Sequence, residues 1–407
     1  MSKIFCTKEK IIDNWVKNSD IENVYSSSIW LMDIHTHFFD VYNHYKKIGI
    51  EGNGNLQEIP ENIINNTKLI KLDIYNFKKL IFPVNFFDKL TNLKIFELFN
   101  NEIELLPESF GDLLNLVKLN LDNNKISLFP ESFSKLSNLN TLSLHDNEIE
   151  SLPGCFYDLS KLCELVLSNN KIESLSESFC NLSNLKTLIL SNNKLKSLPE
   201  SFGNLSKLYE LYLENNEIES LPESFGNLST LYRLQLNKNK LKSLSESFGD
   251  LSNLRELYLE NNEIGSLPEK FGDLLDLMEL YLENNKIELL PESFSNLSRL
   301  YTLELNHNKL ESLPEYFGNL SNLKFLQLNN NKLKSLTKSF FNLSNLRELQ
   351  LNNNKLESIP DYFGNFSNLY KLYLRNNKLG SLPKSLSKLS RIESLDVNRK
   401  RLRTLDN

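Results

Sequence analysis

The residues best suited to chemistry stand near the amino terminus, in the run Asp33-Ile-His-Thr-His37, followed by Asp40 and His44. Imidazoles and carboxylates are metal ligands, and two histidines one residue apart lie on the same side of a strand. A catalytic metal site needs further ligands elsewhere, and only His145 and His307 remain in the chain. The segment also has helical spacing, in which residues two apart point away from each other. We therefore predict no metal site and no catalytic residue.

Cysteine and glycine offer no catalytic pattern either. The four cysteines have neither the spacing of metal ligands nor that of a disulfide framework, which favours a reducing compartment. They are Cys6, Cys155, Cys163 and Cys180. The glycines at 49, 52 and 54 lack the Gly-Lys-Ser/Thr of a phosphate-binding loop and the order of a dinucleotide site. We predict that the chain is not an enzyme and has no cofactor.

Composition excludes several other classes. The chain has 407 residues and a formal net charge of −6, which argues against nucleic-acid binding because that needs a clustered basic surface. No apolar run approaches the roughly 20 residues that cross a bilayer. The first residues, Met-Ser-Lys-Ile-Phe-Cys-Thr-Lys-Glu-Lys, do not have the pattern of a secretory signal. We expect a cytoplasmic protein without a membrane span.

A repeat of 23 residues runs through most of the chain and must position any functional residue. The unit that begins at Leu185 begins again at Leu208, and the pattern is regular from Leu93 to Leu389. A period in this range predicts a solenoid, in which each repeat stacks on its two neighbours.

The first half of the unit predicts a strand. Leu211 and Leu213 alternate with polar residues, so one face of the segment is buried and the other is exposed. Each strand is too short to stand alone and should pair in parallel with those of the neighbouring repeats. Asn216 is expected to bond the backbone groups left unpaired where the chain bends after the strand.

The second half predicts a short helical or 3-10 turn, with Pro222 fixing φ at its start and Phe225 filling its back. Three repeats have Ser176, Ser245 or Thr337 in place of the proline and should have looser turns. Because phenylalanine-bearing turns need more room than strands, we predict an α/β solenoid with parallel strands on a concave face and the turns on a convex face.

Three segments follow from the repeat. Residues 1–45 differ in composition and are predicted to be a helical N-terminal cap or small module, because a stack of repeats leaves its first apolar layer uncovered. Residues 46–391 form the solenoid, whose first repeat, 46–68, is degenerate, with glycines in place of the strand half. Residues 392–407 are a partial repeat acting as a C-terminal cap.

Residues 185–205 resemble the leucine-rich repeat family, whose pattern L-x-x-L-x-L-x-x-N-x-L they match position by position. The added Leu-Pro-x-x-Phe-x-x-Leu is similar to the intracellular class of 23-residue repeats in Ras-pathway scaffolds and related plant, bacterial and viral proteins. The resemblance covers about residues 56–405. It implies a horseshoe that binds other proteins on its concave face, in signalling.

The candidate binding residues are the outward strand positions, which vary between repeats while the core positions do not. Tyrosine offers rigid contact area, and carboxylates beside it can steer a basic partner. Tyr258 and Tyr281 should be neighbours. Further along the chain, Lys371, Arg375 and Arg399, beside Tyr373, should make the face more basic. The predicted partner-binding residues are Glu210, Tyr212, Glu214, Arg233, Gln235, Glu256, Tyr258, Glu260, Glu279, Tyr281, Glu283, Glu304, Tyr373 and Arg375.

These observations predict a monomeric, non-enzymatic scaffold that binds a protein partner, with a basic partner surface as the natural complement. Two alternatives stay open. The N-terminal segment could carry a metal-dependent or recruiting activity that the repeats target. The chain could instead be a secreted or host-delivered modulator that uses the same mode of binding.

Overall fold

The computed structural model describes residues 28–31, 47–52, 59 and 61–397. The described residues fall into two compact units. The first runs to residue 149 and includes 153–162, and the second comprises 150–152 and the chain from 163 onward. Each repeat contributes one short β-strand and one short helical turn, so each unit has a strand side and a turn side.

The first unit contains six strands and one α-helix among the described residues. The strands are β1 (Ser28–Leu31), β2 (Lys47–Glu51), β3 (Lys71–Tyr75), β4 (Ile95–Glu97), β5 (Lys118–Asn120) and β6 (Thr141–Ser143). Each strand pairs in parallel with the next. The turn side has helix α1 (Phe86–Lys89) and the 3-10 helices Glu61–Asn65, Glu108–Asp112, Glu131–Lys135 and Gly154–Asp158.

The second unit continues the pattern, and its successive strands also pair in parallel. Its strands are β7 (Glu164–Val166), β8 (Thr187–Ile189), β9 (Glu210–Tyr212), β10 (Arg233–Gln235), β11 (Glu256–Tyr258), β12 (Glu279–Tyr281), β13 (Thr302–Glu304), β14 (Phe325–Gln327), β15 (Glu348–Gln350), β16 (Lys371–Tyr373) and β17 (Ser394–Asp396). Its 3-10 helices are Glu177–Asn181, Phe202–Asn204, Glu223–Asn227, Glu246–Asp250, Glu269–Asp273, Glu292–Asn296, Phe317–Asn319, Lys338–Asn342, Asp361–Asn365 and Lys384–Lys388.

The amino-terminal part of the chain contains two strands, β1 and β2, that were not predicted from the sequence. The helical segments predicted within residues 1–45 lie outside the described residues, but β1 is a strand paired with β2. The degenerate repeat keeps its strand half despite Gly49. Ile48 and Ile50 alternate around that glycine and are almost fully buried, so burial and parallel pairing with β3 hold the strand.

Buried asparagines join the repeats at the bend after each strand, as the sequence predicted. The Asn216 amide donates to the carbonyls of Leu190 and Leu213, both at 3.0 Å. Its Oδ1 accepts the backbone N–H of Leu195 at 3.0 Å. The side chain therefore satisfies three buried backbone groups in two successive repeats, which fixes the position of one repeat on the next.

A stack of phenylalanine rings fills the turn side of the second unit. The rings of Phe202 through Phe340 follow one another at centroid distances of 6.0–6.3 Å. Paired strands lie only about 4.8 Å apart. The turn side of the unit is therefore the wider side, and its strands lie on the concave side, as predicted. Gly226 fits this packing because a Cβ there would lie 2.2 Å from the Ser247 carbonyl oxygen of the next repeat.

Repeats without proline have the same turn as the others, so the expectation of looser turns was wrong. Ser245 has φ −75° and ψ 163°, close to the −67° and 153° of Pro222. The carbonyl of Ser245 also accepts the Phe248 N–H at 3.1 Å, as that of Pro222 accepts the Phe225 N–H. Stacking of the phenylalanine rings and this hydrogen bond hold the turn in place. A proline that fixes φ is therefore not required.

Candidate protein-binding surface

The outward side chains of the second unit's strands form one surface, here called the strand face. It consists of the first and third residues of each strand, together with the residue two positions after the third, such as Glu210, Tyr212 and Glu214 for β9. Parallel register places equivalent residues side by side: Arg233 lies between Glu210 and Glu256, and Gln235 lies between Tyr212 and Tyr258. The leucines between these residues, Leu211, Leu234 and Leu257, are fully buried, so the backbone holds the polar side chains in fixed rows.

Two tyrosines stack at the centre of this face. Tyr258 and Tyr281 lie on adjacent strands, with ring centroids 4.7 Å apart and planes 6° from parallel. Each hydroxyl donates to the glutamate two residues earlier, Tyr258 to Glu256 at 3.3 Å and Tyr281 to Glu279 at 3.0 Å. The predicted adjacency of the two tyrosines is confirmed. The pair forms a rigid aromatic patch edged by carboxylates.

Tyr212 repeats the arrangement two strands away, with its hydroxyl 3.4 Å from Glu210. Burial, followed by the Glu210 charge, raises the pKa of Tyr212 to about 12. Burial and neighbouring carboxylates also raise the pKa of Tyr258 and Tyr281. All three phenols are therefore protonated donors at neutral pH. We call the outward residues of β9, β11 and β12 the Glu/Tyr band.

Half-buried carboxylates lie next to the tyrosines, either two residues after them or on the adjacent strand. Burial raises the pKa of Glu214 and Glu304, and the Glu283 charge adds to the effect at Glu304. Burial raises the pKa of Glu260 to about 7, with smaller contributions from the Glu304 and Glu283 charges. The Oε2 atoms of Glu214 and Glu260 are buried and accept no hydrogen bond from the described residues.

Replacing Glu260 with glutamine is expected to stabilise the protein at pH 8 and to have little effect at pH 4. The folded-state pKa lies above the ordinary value of 4.5, so the neutral acid is favoured in the fold. The stability that this group contributes is complete below pH 4.5 and is lost as the pH rises through about 7. We expect a gain of about 1–3 kcal/mol at pH 8, measured by urea unfolding.

The matched control is Glu263→Gln, on an exposed carboxylate whose pKa is lowered by its hydrogen bond with Lys286. This variant should not become more stable at high pH. Equal effects of Glu260→Gln at the two pH values would contradict the assigned burial of its carboxylate.

The other predicted residues lie on the same face, and some of them are paired within it. Arg233 forms an ion pair with Glu256. Glu304 accepts a hydrogen bond from Gln327 at 2.8 Å. Tyr373 lies on β16 in register with Gln350.

Two basic residues in the distal part of the face are paired with acidic residues, and the third, Arg399, lies outside the described residues. Arg375 forms an ion pair with Asp396 at 2.9 Å, and Lys371 pairs with Glu348 at 3.1 Å. Each pair neutralises the positive charge of its basic member. The two acidic partners were overlooked because they stand on strands adjacent to the lysine and arginine rather than beside them in sequence.

A second row of side chains was missed. It consists of the residue that follows the first leucine of each repeat, at the amino-terminal edge of the strands, and is here called the edge row. The sequence signal was available, because this position reads basic or aromatic in most central repeats. Its members are Lys186, Tyr209, Tyr232, Arg255, Met278, Tyr301, Lys324, Arg347 and Tyr370.

The described residues were also compared with the predictions about metal binding, membrane spanning and cysteine. The run Asp33–His37, with Asp40 and His44, lies outside the described residues. Among residues that the structure describes, no three His, Cys, Asp or Glu side chains form a group that could hold a metal ion. No helix in the described ranges is both long enough and apolar enough to cross a membrane. Cys155 and Cys180 are buried thiols, and burial raises the pKa of both.

Similar structures come from bacteria, insects and plants. A leucine-rich repeat protein of Leptospira interrogans is 29% identical, with a TM-score of 0.70, and the match covers 88% of this chain and 97% of that one. Toll, from the Drosophila Toll–Spatzle complex, is 26% identical with a TM-score of 0.81, covering 95% of this chain and 56% of that one. The Arabidopsis receptor kinase HAESA ectodomain, in complex with an IDA peptide hormone, is 26% identical with a TM-score of 0.66, covering 86% and 62%.

Family models agree with the structural comparison. A leucine-rich repeat region model matches residues 158–260 and 234–352, and leucine-rich repeat models match 115–136, 127–172 and 345–402. None of these describes a catalytic family. The comparison with curated proteins gave no significant match. Together the overlapping family matches extend from residue 115 to 402, over most of the repeats. The chain therefore belongs to the leucine-rich repeat family.

Proposed function

We propose that this protein is a non-enzymatic scaffold that binds a protein partner on the strand face of its second unit. The observation that carries the proposal is the stacked pair Tyr258 and Tyr281, held between half-buried carboxylates at the centre of the face. Rigid aromatic side chains in a partly desolvated setting are typical of residues that dominate binding energy. Leucine-rich repeat structures similar to this chain include complexes with Spatzle and with a peptide hormone.

The charge of the face suggests the chemistry of the partner. Glu214, Glu260 and Glu283 follow the tyrosine-bearing strands, and burial or neighbouring acids raise the pKa of the first two. A lysine or arginine from a partner would restore the charged form of these carboxylates and would gain charge-assisted hydrogen bonds. A partner with exposed basic side chains therefore suits this face best.

Photo-crosslinking tests the location of binding. A photoreactive phenylalanine analogue at Gln235, between Tyr212 and Tyr258, is expected to capture a discrete protein from extracts of the native cell. The same analogue at Glu223, which is exposed at the start of a 3-10 helix on the turn side, is the control. Capture from position 223 with none from position 235 would contradict the proposal.

We further propose that the protein acts as a monomer in the cytoplasm. The buried, unpaired thiols of Cys155 and Cys180 support a reducing compartment, since neither forms a disulfide. Assignment to the intracellular 23-residue class, with a role in signalling, belongs to the same proposal and rests on the Leu-Pro-x-x-Phe-x-x-Leu half of the repeat.

A further inference from the structure

The edge row is a continuous surface fixed by the backbone. Each member donates its N–H to the carbonyl of the member one repeat earlier: Tyr232 to Tyr209 at 2.9 Å, Arg255 to Tyr232 at 2.9 Å and Met278 to Arg255 at 2.9 Å. The same bond recurs from Lys186 through Tyr370 at 2.7–2.9 Å. The side chains therefore follow one another at strand spacing, along a line that crosses the strands.

Aromatic rings form the apolar part of this row. Tyr209 and Tyr232 stack with centroids 4.9 Å apart, and Tyr301 packs against Phe325 of the strand face at 5.5 Å. Tyr209 and Met278 are 46% and 40% exposed, which is high for large hydrophobic side chains in this unit. The row thus offers apolar contact area along the edge of the strand face.

Two of its cations lie over these rings. The guanidinium carbon of Arg255 is 5.4 Å from the centroid of the Tyr232 ring, and Lys324 Nζ is 4.5 Å from that of Tyr301. Such contacts orient a cation while leaving its outer side open to another ligand. Both charges are therefore held at the surface in defined positions.

The positive charges of the row form no ion pair with any acidic residue that the structure describes. Ion pairs in the second unit use other residues, such as Lys240 with Glu217 and Lys286 with Glu263. Within the described part of the chain, the row's four cations, from Lys186 to Arg347, take part in none. In a chain of net charge −6, a line of unpaired cations beside partly exposed aromatic side chains is a local reversal of charge.

The row ends at a cavity. A cleft of about 440 Å³ is lined by Arg347, Tyr370, Arg391 and Glu393, among others. Arg391 is oriented by a hydrogen bond of 2.9 Å to Asn368. Two guanidinium groups at one end of the row provide an anchoring point for a carboxylate, because the planar fork of arginine matches carboxylate geometry.

We propose that the edge row binds an acidic, extended peptide segment of the protein partner. This inference rests on the proposed function and names the chemistry of one part of the partner. From Lys186 to Tyr370 the row crosses eight strand intervals, or about 38 Å, which matches about twelve extended residues. Carboxylates along one side of such a segment would meet the cations, and the rest of the segment would lie over the tyrosines.

A peptide fits the charges better than a nucleic acid does. The Glu/Tyr band runs alongside the row, joined to it by adjacent residues such as Tyr209 and Glu210. A nucleic acid carries a phosphate on every nucleotide. These phosphates would lie within about 8–10 Å of the band's carboxylates, the distance over which charges repel each other in physiological salt. An extended peptide can direct its acidic side chains to one side only. The test must therefore distinguish binding of an acidic peptide from binding of a nucleic acid.

The test is fluorescence anisotropy with three labelled probes at 50 mM NaCl. They are a peptide of six Glu-Ser repeats, its Gln-Ser counterpart and a twelve-residue oligothymidylate. We expect the full chain to bind the acidic peptide in preference to the other two. The variant Lys324→Glu with Arg347→Glu should weaken acidic-peptide binding by roughly tenfold or more.

The matched control is Lys240→Glu with Lys286→Glu, which makes the same change of net charge at residues that form exposed ion pairs outside the row. Both variants should retain the wild-type circular dichroism spectrum. An equal loss in the control, no acidic-peptide binding, or tighter row-dependent binding of the oligothymidylate would each overturn the proposal. Crosslinking at Gln235 separates the two claims, because capture there would persist if only the edge row were assigned wrongly.

Discussion

Replacing Asn239 with alanine is expected to lower the free energy of unfolding by about 2–4 kcal/mol. The Asn239 amide donates to the carbonyls of Leu213 and Leu236 at 2.9 and 3.0 Å, and Oδ1 accepts the Ile218 N–H at 2.9 Å. Each carbonyl keeps a second donor, because neighbouring asparagines bond the same oxygens. The Ile218 N–H loses this acceptor while buried, and that loss dominates the cost.

Urea unfolding followed by circular dichroism measures this effect. The matched control is Asn253→Ala, at an exposed asparagine whose amide makes one bond of 2.6 Å to the Ser229 carbonyl. That bond is accessible to water, so its loss should cost less than about 1 kcal/mol. If the two variants lost equal stability, the buried asparagines would not hold the repeats together as described here. Because coupling between repeats is local, the transition of Asn239→Ala should also broaden.

The repeat made it possible to predict the fold from the sequence. Strand, bend and turn are each encoded by side chains that recur every 23 residues, such as Leu211, Asn216 and Phe225. Recurrence averages out the local ambiguity that affects a single short segment. Prediction failed where one repeat departs from the pattern. Gly49 suggested a lost strand, but burial of the isoleucines on either side outweighs the weak strand preference of glycine.

The candidate binding surface could be predicted from the sequence only in part. Register between repeats follows from the period, so the adjacency of Tyr258 and Tyr281 could be predicted. Ion pairs such as Arg375 with Asp396 depend on side-chain conformation and could not. The edge row escaped notice because strand alternation assigns its position to neither face. Only the three-dimensional structure shows that Tyr209 is almost half exposed there.

Replacing Tyr258 and Tyr281 together with alanine is expected to abolish partner binding while leaving the fold intact. The two rings form one stacked patch at the centre of the face, and truncated hot-spot tyrosines each cost about 2 kcal/mol or more. A combined loss of about 3–4 kcal/mol corresponds to a reduction in affinity of roughly 150- to 850-fold. The leucines beneath, Leu257 and Leu280, remain fully buried, so melting should change little.

The matched control is Tyr316→Ala with Tyr362→Ala. These tyrosines are 62% and 52% exposed on the turn side, so the control removes the same atoms from the opposite surface.

The dissociation constant of the captured partner, measured for wild type and both double variants, tests the central claim most directly. We predict that the Tyr258/Tyr281 variant loses binding and that the Tyr316/Tyr362 variant binds like wild type. Wild-type affinity in the first variant, or an equal loss in both, would contradict binding on the strand face.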